Sequence, residues 1–271
     1  MRFKLILEVN KKAYGNIIPI NYQYEQSAVI YKILSYGDKE YAAWLHENGF
    51  QLENGKTFKL FTFSRFKIEK RKILNDRIQM LSDTIEWQIS FLPEKSTEKF
   101  ITGVFNNQIF EIGDKRSCVQ FIVKSIEVIP LPDFSESMQF STMSPMCLKF
   151  KREDGNIDYI SPLDVRAKQI LLVGLADKYY SLYGVRPDFF VDDVVLDVLN
   201  DPKPVLVTMK SNTASQTKVK GYMFKFNINA PVDLLKVMYD GGAGSLCSQG
   251  FGCLRENLCN TSYKFLQNEN C

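Results

Sequence analysis

Histidine is almost missing from this chain of 271 residues, where His46 stands alone. A single imidazole excludes metal centres built on several histidines, and any histidine pair dividing acid and base roles. Long apolar runs are missing too: no stretch of about 18 uninterrupted apolar residues offers a membrane-spanning helix. The opening Met1-Arg2-Phe3-Lys4-Leu5-Ile6-Leu7-Glu8 is too short and too broken by charge for a secretory signal, and it reads as a strand. A cytoplasmic location is the expectation that follows. The six cysteines, Cys118, Cys147, Cys247, Cys253, Cys259 and Cys271, contain no C-x-x-C pair, which argues against a zinc ribbon. Cys247, Cys253 and Cys259 are evenly spaced, yet they flank a glycine loop and a strand, so free thiols are expected rather than a metal site. A large excess of charge is also lacking, since 34 basic against 31 acidic residues leave a net +3. Overall charge therefore does not announce a nucleic-acid binder.

Local charge says more. Between Lys56 and Arg77, the basic residues Lys56, Lys59, Arg65, Lys67, Lys70, Arg71, Lys72 and Arg77 meet only Glu69 and Asp76. Phe58, Phe61, Phe63 and Phe66 interleave with them. Such a patch can hold a phosphate backbone and stack bases. The same pattern also describes a hairpin with a buried aromatic face and a solvated basic face.

With 45% hydrophobic residues the chain can fill two cores. Alternation predicts a strand over 2–9. Helical spacing follows over 25–34, and Asp38 is placed to cap a second helix that runs to Glu47 and closes at Asn48-Gly49. Strands are expected near 59–68, 71–78 and 84–92, a helix from Pro93 to Asn106, and a strand over 118–129. The first half thus reads β-α-β-β-α-β. Ile129-Pro130-Leu131-Pro132-Asp133 breaks the pattern, because two prolines deny a ladder its donors. Strands near 137–151 and 156–160 then flank a turn at Glu153-Asp154-Gly155-Asn156. A helix over 163–182 ends at Gly184, and strands follow near 189–198, 203–210 and 217–229. A helix after Pro231, a glycine loop and a last strand over 250–256 complete the half. The expected fold is α+β, with tandem ferredoxin-like (RRM-like) domains of antiparallel sheets. The domains span 1–129 and 137–256, joined by a linker over 130–136. The polar tail over 257–271 is expected to fray.

The glycine loop runs Gly242-Ala243-Gly244-Ser245-Leu246-Cys247-Ser248-Gln249-Gly250-Phe251-Gly252. It lacks the G-K-[ST] of a nucleotide loop, and it leads into a strand, unlike a dinucleotide fingerprint. Glycine serves two ends here, a nest of N–H groups for an anionic oxygen or a tight, closely packed turn. His46 is either a residue at a helix end or a proton carrier active near neutrality. Tyr31, on the preceding helix, and Lys59, opening the basic hairpin, complete a trio with no competing Ser-His-Asp order or paired acidic motif.

Together these residues carry a resemblance. The opening strand, Asn21-Tyr22-Gln23-Tyr24 through Ile30-Tyr31, Tyr41-Ala42-Ala43-Trp44-Leu45-His46-Glu47 and Lys59-Leu60-Phe61-Thr62-Phe63-Ser64 are similar to the RAMP-superfamily endoribonucleases of CRISPR systems, the sixth CRISPR-associated family. Phe140-Ser141-Thr142-Met143-Ser144-Pro145, the helix containing Asp177-Lys178-Tyr179, and the loop Gly242–Gly252 continue the match to about Arg255. The resemblance implies a tandem ferredoxin-like fold and cleavage of CRISPR repeat RNA without metal or cofactor. The 2′-hydroxyl attacks the adjacent phosphate, leaving a 2′,3′-cyclic phosphate. It also implies His46, Tyr31 and Lys59 as catalytic residues, with acid and base roles undivided between His46 and Tyr31. Gly242, Gly244, Ser245, Ser248, Gln249, Gly250, Gly252, Lys56, Arg65 and Lys67 are the candidate RNA contacts.

Two features depart from that pattern. The spacer from His46 to Lys59 is long and contains the turn Glu53-Asn54-Gly55, which leaves Lys56 as the rival lysine. The five central loop residues carry no positive charge, so contact there rests on N–H groups and on Ser245, Ser248 or Gln249. A non-catalytic repeat-RNA subunit of a CRISPR interference complex is the alternative expectation. Family members also pair as homodimers, although no heptad or other self-association signal is present.

Overall fold

The computed structural model describes residues 1–211 and 213–257. Strand β1 (Arg2–Val9) buries Phe3, Leu5, Leu7 and Val9 at the period of two that a strand imposes. Helix α1 (Gln23–Gly37) buries Val29, Ile30, Ile33 and Leu34 along one stripe. Helix α2 (Lys39–Glu47) starts where the Asp38 carboxylate accepts the Tyr41 N–H at 2.9 Å. Then follow β2 (Phe61–Phe63), β3 (Thr84–Phe91), α3 (Glu94–Asn106), β4 (Ile109–Gly113) and β5 (Cys118–Ile129). Their antiparallel order is β2-β3-β1-β5-β4. Without the added edge strand β4, this is the split β-α-β arrangement of a ferredoxin-like sheet.

The second half repeats it. Strand β6 (Ser137–Thr142), α4 (Ala167–Tyr183), β7 (Val195–Val198), β8 (Lys225–Asn229), α5 (Val232–Gly241) and β9 (Leu254–Glu256) give the sheet order β7-β8-β6-β9. Two separate hairpins lie outside this sheet. One pairs Lys149–Lys151 with Ile157–Tyr159, the other Lys203–Met209 with Thr217–Met223. Residues 130–136 between β5 and β6 hold no helix or strand.

Backbone contact sets the first core. A Cβ on Gly103 of α3 would stand 1.8 Å from the Ile33 carbonyl oxygen of α1, so the two helices touch main chain to main chain only because glycine is there. The halves are joined by buried polar groups. The Arg2 guanidinium, 1% exposed, donates to the carbonyls of Leu254 and Tyr239 and lies 3.7 Å over the Tyr239 ring. Ser90 of β3 donates to Asp240 of α5 at 2.7 Å.

Several boundaries differ from the expectations above, each for a local reason. The strand expected over 59–68 is only Phe61–Phe63, since Leu60 adopts φ 52° before it. The strand expected over 71–78 is a hairpin, Arg71–Leu74 against Arg77–Met80, turning where Asn75 has φ 52°. That expected over 137–151 stops at Thr142, just before Ser144-Pro145. Helix α4 starts at Ala167 rather than 163, because Asp164 accepts from the Arg166 and Ala167 N–H groups first, through its side chain and its carbonyl. Only Val195–Val198 is strand in the segment 189–198. The run 217–229 breaks at Phe224, whose N–H donates to Thr142 Oγ1 at 2.9 Å. The last strand begins at Leu254 because Gly250 and Gly252 are left-handed, with φ 91° and 70°. Of the tail expected to fray, only Asn257 is among the described residues, and its N–H donates to the Gln139 carbonyl at 2.9 Å. No helix among the described residues is long and apolar enough to cross a membrane.

Candidate active site

Gln23, Ser27 and Tyr31 recur every four residues and so share one face of α1. The Tyr31 ring stands edge-on to Phe61 of β2, with centroids 5.6 Å apart, and to His46 at 4.9 Å. Burial pushes its phenol well above the ordinary tyrosine value, and its hydroxyl has no hydrogen-bond partner among the described residues. His46 lies in the last turn of α2 with its side chain exposed.

After α2 the chain forms the short hairpin Phe50–Gln51 with Thr57–Phe58, around the anticipated turn, where Gly55 has φ 81°. The hairpin returns Lys59 to the helix end, where its ammonium donates to the His46 carbonyl at 2.8 Å. A cation suits the last carbonyls of a helix. Partial burial lowers the Lys59 pKa. Tyr31, His46 and Lys59 are therefore brought together by geometry. Lys56, the rival, points elsewhere and pairs with Asp177 of α4 at 2.8 Å.

The glycine loop packs on the same face of α1. Ser27 donates to the Ser248 carbonyl at 2.7 Å, and Thr62 of β2 to the Phe251 carbonyl at 3.0 Å. Within the loop, Ala243 N–H donates to Gly252 at 2.8 Å, while Ser245 N–H donates out to Cys147 at 2.7 Å and Gly252 N–H to Pro145 at 2.9 Å. A Cβ on Gly252 would meet the Ala243 oxygen at 2.0 Å. Most of the loop is thus a tight turn, closed on itself at Ala243 and tied to the segment 145–147 beside it. The N–H groups of Leu246, Cys247 and Ser248 at its tip have no acceptor among the described residues.

Loop and lysine hairpin face each other across a cleft of about 760 Å³, with α4 along its length. Lys56, Phe58 and Lys59 line one wall, and Gly244, Ser245, Ser248 and Gln249 the other. Lys149 and Arg166 add positive charge, and Asp177 is the one carboxylate lining it among the described residues.

Not every expected contact reaches this cleft. Gly242, Gly250 and Gly252 are buried within the loop. The half-buried Arg65 lies beside the Tyr22 hydroxyl and lowers its pKa against a larger upward push from burial. Lys67 pairs with Glu86 at 2.9 Å and borders a separate hollow with Glu69 and Lys70. Phe61, Phe63 and Phe66 are buried in the first core, two of them edge-on to Trp87, so they do not present themselves for stacking bases. Of the interleaved aromatics only Phe58 remains half-exposed in the cleft.

Two ferredoxin-like sheets with a cationic cleft between a lysine wall and a glycine loop define a tandem ferredoxin-like protein of antiparallel sheets. A family model described as CRISPR-associated protein Cas6, N-terminal, matches residues 17–127, and one described as CRISPR associated protein Cas6, C-terminal, matches residues 129–256. The chain belongs to the Cas6 family. It is 27% identical over 255 residues to CRISPR-associated endoribonuclease Cas6 1 of Methanocaldococcus jannaschii, covering 93% of this chain and 91% of that one. It is also 27% identical over 261 residues to CRISPR-associated endoribonuclease Cas6 of Pyrococcus furiosus, covering 94% and 89%. A solved structure described as an RAMP protein binding different RNA substrates superposes with a TM-score of 0.78 at 25% identity, over 95% of this chain and 99% of that one.

Sequence reasoning missed Lys149, Arg166 and the pair Asp177-Lys178 as cleft residues. One signal was available. Leu171, Leu175 and Lys178 are spaced as a single helix face, and a lysine on an apolar face marks a buried charge.

Proposed function

We propose that this chain is a metal-independent endoribonuclease that cuts CRISPR repeat transcripts to give guide RNA. The observation that carries this reading is the convergence of Tyr31, His46 and Lys59 beside a cationic cleft. Relatives named CRISPR-associated endoribonuclease, aligned over most of both chains, support it. Lys56, Lys59, Lys149 and Arg166 supply the charge that RNA phosphates require. The N–H groups at the loop tip and Ser245, Ser248 and Gln249 shape the RNA path.

In the reaction the 2′-oxygen attacks the neighbouring phosphorus and the bond to the 5′-oxygen breaks. The products are a 2′,3′-cyclic phosphate and a 5′-hydroxyl. His46 takes the proton of the 2′-hydroxyl. Tyr31, which burial keeps protonated, gives its proton to the departing 5′-oxygen. The Lys59 ammonium offsets the charge that gathers on the five-coordinate phosphorus. Proton return from His46 to Tyr31 through solvent resets the site.

The test is incubation of the purified chain with its repeat RNA in excess chelator. Unchanged cleavage ending in a cyclic phosphate is expected. Full activity in His46→Ala would sink the assignment, and loss of cleavage on chelation would sink the metal-independent reading.

A further inference from the structure

We infer that Asp177 and Lys178, neighbours on α4, form a positioning unit that sets the two walls of the cleft against each other. Its effect on catalysis rests on the endoribonuclease reading above. Lys178 is 4% exposed. Burying an ammonium is costly unless its three donors are satisfied. No carboxylate pairs with it among the described residues. Its Nζ instead donates to the carbonyls of Gly242 at 2.5 Å and Gly244 at 3.0 Å, and lies 3.2 Å from Cys247 Sγ. All these acceptors belong to the glycine loop. The same two peptides carry the Ala243 and Ser245 N–H groups that close the loop on Gly252 and Cys147. A cation on the oxygen of a peptide strengthens its N–H as a donor, so Lys178 tightens both closures at once.

Asp177 precedes it by one residue, about 100° round the helix, and serves the opposite wall. Its carboxylate accepts from Lys56 at 2.8 Å and from Arg186 at 2.7 Å. Burial alone would raise the Asp177 pKa, but these two cations outweigh it and hold the pKa below the ordinary value. Lys56 stands three residues before Lys59, so the pair anchors the hairpin that delivers Lys59 to His46. One helix thereby fixes the shape of the loop through Lys178 and the place of the catalytic lysine through Asp177.

The two losses separate in single-turnover kinetics of the full chain on repeat RNA. Lys178→Met raises Kd about tenfold, and shifts the saturating rate by less than about threefold. Asp177→Asn does the reverse, lowering the saturating rate about tenfold with Kd within about threefold. Asp177→Glu keeps the carboxylate and returns most of the rate. Adding Lys56→Ala to Asp177→Asn lowers the saturating rate little further, since both remove one interaction, and the lost phosphate cation shows in Kd instead. Amide exchange at Ala243 and Ser245 quickens at least about tenfold in Lys178→Met, and Lys178→Gln serves the same measurement if the methionine variant does not fold. Equal shifts of Kd and rate in both variants, or unaltered exchange at Ala243 and Ser245, overturn the proposal. If the wild-type chain leaves repeat RNA uncut, the endoribonuclease reading fails by itself, while the exchange result still decides the role of Lys178.

Discussion

Beside the lysine wall of the cleft the working atoms are left unspent: the Tyr31 hydroxyl has no partner among the described residues, and the His46 side chain is exposed. On the other wall the glycine loop is bonded into its surroundings, with its Ser245 and Gly252 N–H groups given to Cys147 and Pro145, and its nearest charge, Lys178, is sealed beneath it. The difference is one of duty. A group that moves a proton must be able to meet a substrate and change its bonding, whereas a surface that shapes a chain must already be bonded in one form. Substitutions on the first wall should therefore act on rate, and those on the second on affinity and stability.

The largest effect is expected at His46. His46→Ala should lower the saturating cleavage rate by about 10²–10⁴, the usual worth of a positioned acid or base, with RNA affinity held. A variant that lost affinity but kept rate would invert the comparison. Next comes Lys59→Ala, expected to cost about 10² in rate through loss of charge at phosphorus. Lys56→Ala should cost about tenfold or less, since Lys56 is engaged with Asp177 rather than with His46.

The dependence on pH sharpens the same wall. Lys59 must be charged, and partial burial lowers its pKa from 10.5, so the rate falls on the alkaline side before an ordinary lysine would titrate. Tyr31 is pushed upward and still holds its proton there. Lys59→Arg keeps the charge at any accessible pH and should move the alkaline limb upward. Single-turnover rates from about pH 5 to about pH 11 read this directly, and an unmoved limb would remove Lys59 from the titration.

The loop wall gives the complementary result. Gly252→Ala forces a Cβ against the Ala243 carbonyl at a φ of 70°, and should cost about 1–3 kcal/mol in chemical denaturation. A neutral outcome would mean that the loop is free to reshape and does not hold a fixed path.

How much of this was legible beforehand follows from what each signal depends on. Strands 2–9 and 118–129 and the Asp38 cap were readable because alternation and capping are local. The positive φ at Leu60 and Asn75 was not, since no residue type there demands it, and so one expected strand shrank and another folded into a hairpin. The trio of Tyr31, His46 and Lys59 came from a resemblance, and Lys59 stands out from Lys56 only once the hairpin is closed and Asp177 lies across from it. Burial of Phe61 and Phe63 likewise depends on which face of β2 meets α1 and Trp87, which alternating sequence alone leaves open.

The smallest effect is expected at Lys67, and it tests whether charge works by place or by number. Lys67 belongs to the same basic run as Lys59, but it pairs with Glu86 at 2.9 Å beside a different hollow. Exposed pairs of this kind contribute about 0–1 kcal/mol, so Lys67→Ala should leave stability nearly unmoved. If binding follows the cleft, repeat-RNA affinity stays within about twofold, and the slope of log affinity against log salt keeps its value. Lys149→Ala, inside the cleft, should reduce that slope by about one. Equal losses for Lys67→Ala and Lys149→Ala would carry the RNA path beyond the two walls and across the outer edge of the first sheet.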